Sequence, residues 1–183
     1  MAMKPSRFFK LTSVAILTSF TWGCASAPTK SPDVEGVIHR SLNDPAYKDV
    51  SVHQDRDKGV VTLSGRVAAD RDKAQAESIA NSMAQGQVVA NEIAVVTPGA
   101  ESQSKDINAD VDAGIEKNLD AALIQNNLRK QVNYKVKNGV ITLTGEVNSE
   151  QLRAQVAQIA TAIPYRQQVV NELQVKNQKA TMN

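Results

Sequence analysis

The sequence predicts an α+β chain built from two copies of one small unit, each a mixed β-sheet packed with two helices in the order αββαβ. Three observations lead there. Gly59-Val60-Val61-Thr62-Leu63-Ser64-Gly65-Arg66-Val67 returns 80 residues later as Gly139-Val140-Ile141-Thr142-Leu143-Thr144-Gly145-Glu146-Val147. Val88-Val89-Ala90-Asn91-Glu92-Ile93-Ala94-Val95 returns at the same offset as Gln168-Val169-Val170-Asn171-Glu172-Leu173-Gln174-Val175. Within each unit the apolar period switches between strand-like alternation and helical spacing. Two separated blocks in constant register indicate duplication of a roughly 65-residue unit.

The first element in the chain is an address. Lys4, Arg7 and Lys10 precede an uncharged, mostly apolar run, Leu11 to Trp22, which ends at Gly23-Cys24. Twelve residues suit a signal-peptide core and fall short of the roughly 20 that a spanning helix needs. A buried N-terminal helix is the competing reading. Residues 1–23 are therefore read as a signal peptide, and the Ala-, Ser- and Pro-rich stretch 24–32 as a flexible tether.

The first folded unit is expected over 33–96. Val34, Val37, Ile38 and Leu42 mark a helix over Asp33 to Leu42, with Pro45 expected to end it. Val50 to Gln54 alternates as a strand, Asp57-Lys58-Gly59 is a turn, and Val61 and Leu63 face the core of the next strand. Asp70 is positioned to cap a helix striped by Ala76, Ile79, Ala80 and Met83. The last strand is expected over Glu92 to Val96.

Residues 97–106 read as a polar linker that permits either a swinging pair of units or a docked one. The second unit, 107–176, opens with a longer helix through Ile107, Val111, Ile115, Leu119 and Leu123. A strand over Lys130 to Val136 and an Asn138-Gly139 hairpin signal follow. Leu152, Val156, Ile159, Ala160 and Ile163 stripe a helix capped by Asn148 or Ser149, and Glu172 to Lys176 forms the last strand. Residues 177–183 are a tail.

Composition removes several functions. In a chain of 183 residues, one cysteine excludes a disulfide scaffold and 42% hydrophobic residues exclude a disordered one. Without residues 1–23 the balance is 18 basic to 19 acidic residues, and the aromatics are Tyr47, Tyr134 and Tyr165. A near-neutral body with three aromatics is poorly suited to nucleic acid, in charge and in stacking surface alike.

Catalytic and metal chemistry find little to stand on. His39 and His53 have no ligand spacing, and the matched positions in the second unit are Glu116 and Asn133. No metal or cofactor is expected, and no catalytic residue is nominated. Gly59, Gly65, Gly139 and Gly145 lack the lysine and helix of a phosphate loop, so they read as structural positions of the repeat. Asn91-Glu92 and Asn171-Glu172 read as repeat positions serving turns and strand boundaries, with ligand pairs as the alternative. The most basic local surface is Arg129, Lys130, Lys135 and Lys137, a candidate phospholipid contact at about 1 kcal/mol per cation near an anionic surface. Ordinary solubilising charge is the competing reading.

Thr21-Trp22-Gly23-Cys24 resembles a bacterial lipobox. The resemblance implies that Cys24 carries thioether-linked diacylglycerol and an amide-linked acyl chain such as palmitate, anchoring the protein in lipid. Ala25 stands where an inner-membrane lipoprotein commonly has Asp, which implies the outer membrane, with the body in the periplasm. The pattern of helix, strand, turn into G-V-V/I-T-L-S/T-G-x-V, helix and V-x-N-E or V-V-N-E-I/L-x-V resembles the BON domain, found in tandem in periplasmic proteins and in an outer-membrane lipoprotein of Gram-negative bacteria. That resemblance implies two small non-enzymatic α/β domains, contact with anionic phospholipids or envelope proteins, and a part in envelope integrity under osmotic or chemical stress. In the lipoprotein relatives a helix-bearing surface of the second domain meets the lipid. The matching stretch near Ile107 to Leu123 carries Asp106, Asp110, Asp112, Glu116 and Asp120 around Lys117. A periplasmic protein-interaction module without headgroup recognition is the alternative function.

Overall fold

The computed structural model of the protein describes residues 30–176. The signal segment, Cys24 and the tail 177–183 lie outside the described residues. The first unit runs α1 (Glu35–Ser41), a 3-10 turn (Pro45–Tyr47), β1 (Val50–Asp55), β2 (Val60–Val67), α2 (Asp70–Met83) and β3 (Val88–Val95). The second runs α3 (Glu101–Gln125), β4 (Val132–Lys137), β5 (Val140–Val147), α4 (Glu150–Thr161), β6 (Gln168–Asn171) and β7 (Gln174–Val175). The expected α+β duplication, with an αββαβ order in each copy, is the observed architecture.

In each unit a hairpin supplies two antiparallel strands, and the helix that follows carries the chain back to lay the third strand parallel to the second. Alternation then sorts the side chains. Val61 and Leu63 of β2 and Ile93 of β3 turn toward α1 and α2, where they are fully buried with Ile38, Ala76 and Ala80. Ile141 and Leu143 do the same with Ile115, Leu119 and Leu123 of α3 and Val156 and Ala160 of α4. Each unit thus has its own core beneath two helices. Tyr134 packs against the second core, as its parity with Val132 and Val136 predicts, and its hydroxyl donates to Asp120 Oδ1 at 3.0 Å.

Several boundaries differ from the sequence reading. Residues 101–106, expected in the linker, begin α3, because nothing after Pro98-Gly99 interrupts helix formation. The first helix stops at Ser41, and Pro45 opens the 3-10 turn, with Asp44 Oδ1 accepting from the Ala46 amide at 2.8 Å. Ala69, not Asp70, sits at the N-cap of α2, whereas Ser149 caps α4 by accepting from the Leu152 amide.

The last strand of the first unit starts at Val88 rather than Glu92. Asn91 and Glu92 are therefore mid-strand residues, not strand-boundary ones. In the second unit the strand expected over Glu172 to Lys176 is instead β6 and β7, interrupted at Glu172-Leu173. At both copies the asparagine carboxamide folds back on its own strand. Asn91 Oδ1 accepts from the Ile93 amide at 3.3 Å and Asn171 Oδ1 from the Leu173 amide at 3.1 Å.

The hairpins also differ in length. Residues 56–59 join β1 to β2, whereas Asn138-Gly139 alone joins β4 to β5, with φ of 48° and 78°. Val52 faces Leu63 and Tyr134 faces Leu143, so His53 corresponds to Lys135 and not, as read from sequence, to Asn133. The 80-residue offset holds for the second strands; the two extra turn residues shift the first ones.

The helix-free faces of the two sheets meet. Val60 and Ala90 of the first unit form one buried cluster with their equivalents Val140 and Val170 of the second. A valine removed fully from water contributes roughly 1.5 kcal/mol or more. The docked alternative left open by the linker is the observed one, and its layers run helices, sheet, sheet, helices.

Candidate functional site

The contact between the sheets gathers four of the polar residues that the sequence singled out, Glu92, Lys135, Lys137 and Glu172. Alternation along β3 puts Glu92 on the helix-free face, opposite Ser64 and two residues from Ala90. The second unit then covers it, leaving its side chain 7% exposed. Lys137 Nζ stands 3.1 Å from Glu92 Oε2, and Lys135 Nζ 3.5 Å from Glu92 Oε1. One carboxylate thus bridges two cations of the neighbouring unit. The side chain of Asn138, in the hairpin turn, donates to the Glu92 carbonyl at 2.7 Å.

The reciprocal contact uses the other copy. Lys58, in the first hairpin turn, donates to Glu172 Oε2 at 2.7 Å, and the Glu172 side chain is 10% exposed. This bond holds the Lys58 ammonium above the usual lysine range. Lys58 also lies 3.6 Å from Asp55, whose carboxyl is held low first by the Lys58 amide. Each unit therefore sends a hairpin turn to the repeated glutamate of the other, an arrangement with two-fold character.

Gln168 and Lys73 complete the contact asymmetrically. The Gln168 carboxamide accepts from the Asn91 amide at 3.0 Å and donates to the Val89 carbonyl at 2.6 Å. It pairs with the free edge of β3 as a neighbouring strand would, which closes an otherwise open template. Lys73 of α2, nearly buried, donates to Gln167 Oε1 at 2.6 Å, and burial pushes its ammonium below the usual range. The Asn91 side chain is spent inside the first unit, its Nδ2 donating to the Lys73 carbonyl and to Glu77.

Between the sheets lies a cavity of about 330 Å³ whose lining includes His53, Thr62, Thr142, Glu92, Lys135 and Lys137. A larger groove of about 700 Å³ runs between the end of the first sheet and the N-terminal half of α3, past Arg66, Lys105 and Asp112. Asp112 is already occupied, accepting from the Asn138 and Gly139 amides at 2.7 and 2.8 Å. Asp49 likewise pairs with Arg66 at 3.1 Å.

The four cations taken together as one basic surface are divided by the fold. Lys135 and Lys137 point from the helix-free face toward Glu92. Arg129 pairs with Asp120 and lies 5.2 Å from the centre of the Tyr134 ring, toward the helical layer. Lys130 is exposed in the turn between α3 and β4. The repeat glycines hold backbone geometry. Gly65, at φ 109°, faces the Asp49 carbonyl so closely that a β-carbon would overlap it, and at Gly145, φ 123°, a β-carbon would stand 2.7 Å from the Gln131 carbonyl. Gly59 and Gly139 take positive φ in the hairpin turns.

Sequence reasoning passed over Lys58, Lys73, Gln167 and Gln168 as site residues. Lys58 and Gln167 flank the repeat blocks and Gln168 opens one, but Lys73 carries no such signal, and contacts at separations of 94 and 114 residues have no local pattern.

The chain was compared with known proteins. No curated protein matches it. Two solved structures of CdsD, a structural protein of the type III secretion system of Chlamydia trachomatis, one of them its C-terminal domain, align at 18% identity and a TM-score of 0.32. The alignments cover 78% of this chain and 65% and 61% of those chains, less than two thirds of each. The BON domain family model matches twice, over residues 33–97 and 104–177. Those two matches take in most of the chain and both sheets with their helices, so the chain belongs to the BON domain family.

Proposed function

We propose that this protein is a non-enzymatic, outer-membrane lipoprotein anchored through acylated Cys24, whose paired BON domains stand in the periplasm and support envelope integrity through phospholipid contact. The lipobox-like segment and the tandem BON domains support the reading together. Among the described residues no helix is long and apolar enough to cross a membrane. In this reading the body is attached through the N-terminal lipid and by surface contact.

The observation that carries the lipid contact is the exposure of Lys130 and Lys135, the latter 64% exposed, on the strand β4 side of the second unit. Their ammonium groups reach headgroup phosphates as point charges. The test is flotation of the folded body, with Cys24→Ser removing the anchor, on zwitterionic vesicles and on vesicles containing phosphatidylglycerol. Salt-sensitive binding to the anionic vesicles that Lys130→Gln and Lys135→Gln weaken supports the reading; equal binding by the variant opposes it.

A tethered protein-interaction module is the second reading, favoured by one observation. Six acidic residues against two lysines make α3 strongly acidic, which repels an anionic lipid surface and suits a basic protein partner. Crosslinking in cells that recovers one dominant envelope protein, with no vesicle binding by the body, would select it.

A further inference from the structure

We propose that Glu92 is a resident counter-anion that occupies a phosphate-binding fork formed by Lys135 and Lys137, so that engagement of a phosphate group and closure of the two units on each other compete. The inference rests on the phospholipid reading above and adds a regulated site to it. The geometry supplies its parts. Two ammonium groups two residues apart on β4 share one carboxylate, at 3.1 and 3.5 Å. That carboxylate belongs to the other unit and is 7% exposed, whereas Lys135 and Lys137 stay 64% and 43% exposed. The cations are thus open to solvent while their partner is enclosed. A phosphate oxygen presents the same acceptor chemistry as the carboxylate; a phosphodiester headgroup matches its single negative charge, and inorganic phosphate exceeds it.

The cavity beside the fork is lined by side chains that can donate to a phosphate. Thr62, Ser64, Thr142 and His53 border it together with Glu172. Thr142 lies opposite Lys135 in the hairpin register, within the second unit itself. The fork and this hydroxyl therefore remain together when Glu92 leaves. Departure of Glu92 also removes its ion pairs with Lys135 and Lys137 from the contact between the units, which otherwise consists of four small apolar side chains, the Lys58–Glu172 pair and a few carboxamide and lysine bonds. By linkage, whatever occupies the fork opens the contact to the same degree that closing the contact expels it.

Three variants of the Cys24→Ser body test this with two probes, inorganic phosphate in solution and vesicles containing phosphatidylglycerol. Glu92→Gln keeps the shape of the side chain and removes its charge. Asp106→Asn removes an equal charge from exposed α3 and controls for net charge alone. Ala90→Cys with Val170→Cys joins two residues of the shared apolar cluster and locks the units when oxidised.

The expected result is roughly tenfold tighter, salt-sensitive binding by Glu92→Gln, a smaller change in Asp106→Asn, and loss of binding on oxidation of the cysteine pair that returns on reduction. A gain on vesicles and phosphate alike assigns the site to phosphate as such; a gain on vesicles alone assigns it to a headgroup at a bilayer. Equal binding by wild type, Glu92→Gln and the oxidised pair overturns the competition and leaves phospholipid contact standing. Equal gains by Glu92→Gln and Asp106→Asn also overturn it, as does an absence of binding in every variant, which removes the lipid reading too.

Discussion

Lys58 and Glu172, 114 residues apart, meet at 2.7 Å where the first hairpin turn of the chain touches the repeated glutamate of the second unit. Lys137 and Glu92 form the reciprocal contact. A small domain of this size buries only about 60% of its unfolded surface and is marginal alone. Joining two of them through their helix-free faces buries Val60, Ala90, Val140 and Val170 and gives each unit a second hydrophobic contact.

Alkaline pH should loosen the Lys58 contact. The Lys58 ammonium is held above its usual value of 10.5, chiefly by its bond to Glu172. A folded-state value raised above the unfolded one gives stability that is complete below the unfolded value and is lost as pH rises through the folded one. Denaturation midpoints measured from pH 8 upward should fall less steeply in Lys58→Gln than in wild type. An unchanged alkaline limb in the variant would contradict the assignment.

Gly65 should tolerate substitution worse than Gly86. Both have positive φ, but a β-carbon at 65 overlaps the Asp49 carbonyl, whereas nothing lies within 4 Å of one at 86. Gly86→Ala should cost about 1–2 kcal/mol from conformation alone, and Gly65→Ala more than 3 kcal/mol because β1 and β2 must also separate. Urea denaturation of the two variants measures the difference.

Removing the Gln168 carboxamide should expose the edge of β3. Gln168→Ala leaves the Asn91 amide and the Val89 carbonyl without their partner, a loss of about 1–3 kcal/mol. Hydrogen exchange should show faster exchange at the Asn91 amide, with little change at Val61 or Leu63 inside the first core. Uniform loss of protection would mean that the carboxamide supports the whole fold instead.

Acid should act on the first hairpin turn. The Asp55 carboxyl is held low, first by the Lys58 amide, so its contribution is present above the unfolded value near 3.8 and disappears as pH falls through the lower folded value. Asp55→Asn should flatten that part of the acid limb, read from denaturation midpoints between pH 5 and pH 2.

How much of this was legible follows from the range of each interaction. The duplication, the hairpins and the cores were readable because period 2, period 3.6 and turn residues act over a few positions, as at Val61, Leu63 and Asn138-Gly139. Glycines 65 and 145 were readable as structural positions of the repeat for the same reason, and the structure shows the close backbone approach that they serve. The role of Glu92 was not. Alternation placed it on the face away from its own helices, where a solvated carboxylate is the ordinary expectation, and only the approach of a second sheet buries it. Lys135 and Lys137 looked like part of one basic surface with Arg129 because the residues are close in sequence, but Arg129 lies in the turn before β4 and turns to Asp120 and the Tyr134 ring, whereas Lys135 and Lys137 stand on the helix-free face of the strand. The shift between His53 and Lys135 was hidden by the two extra residues of the first turn.

The most direct measurement is the distance between spin labels at Asn81→Cys on α2 and Gln155→Cys on α4 in the Cys24→Ser body, recorded by pulsed dipolar spectroscopy. Both positions are exposed and belong to different units. Units held face to face by the Glu92 and Glu172 contacts should give one narrow distance distribution, broadened when Glu92→Gln and Lys58→Gln are combined. A broad distribution in the otherwise unmodified body would show that the two BON domains swing freely, and the competition between phosphate and closure would fall with it.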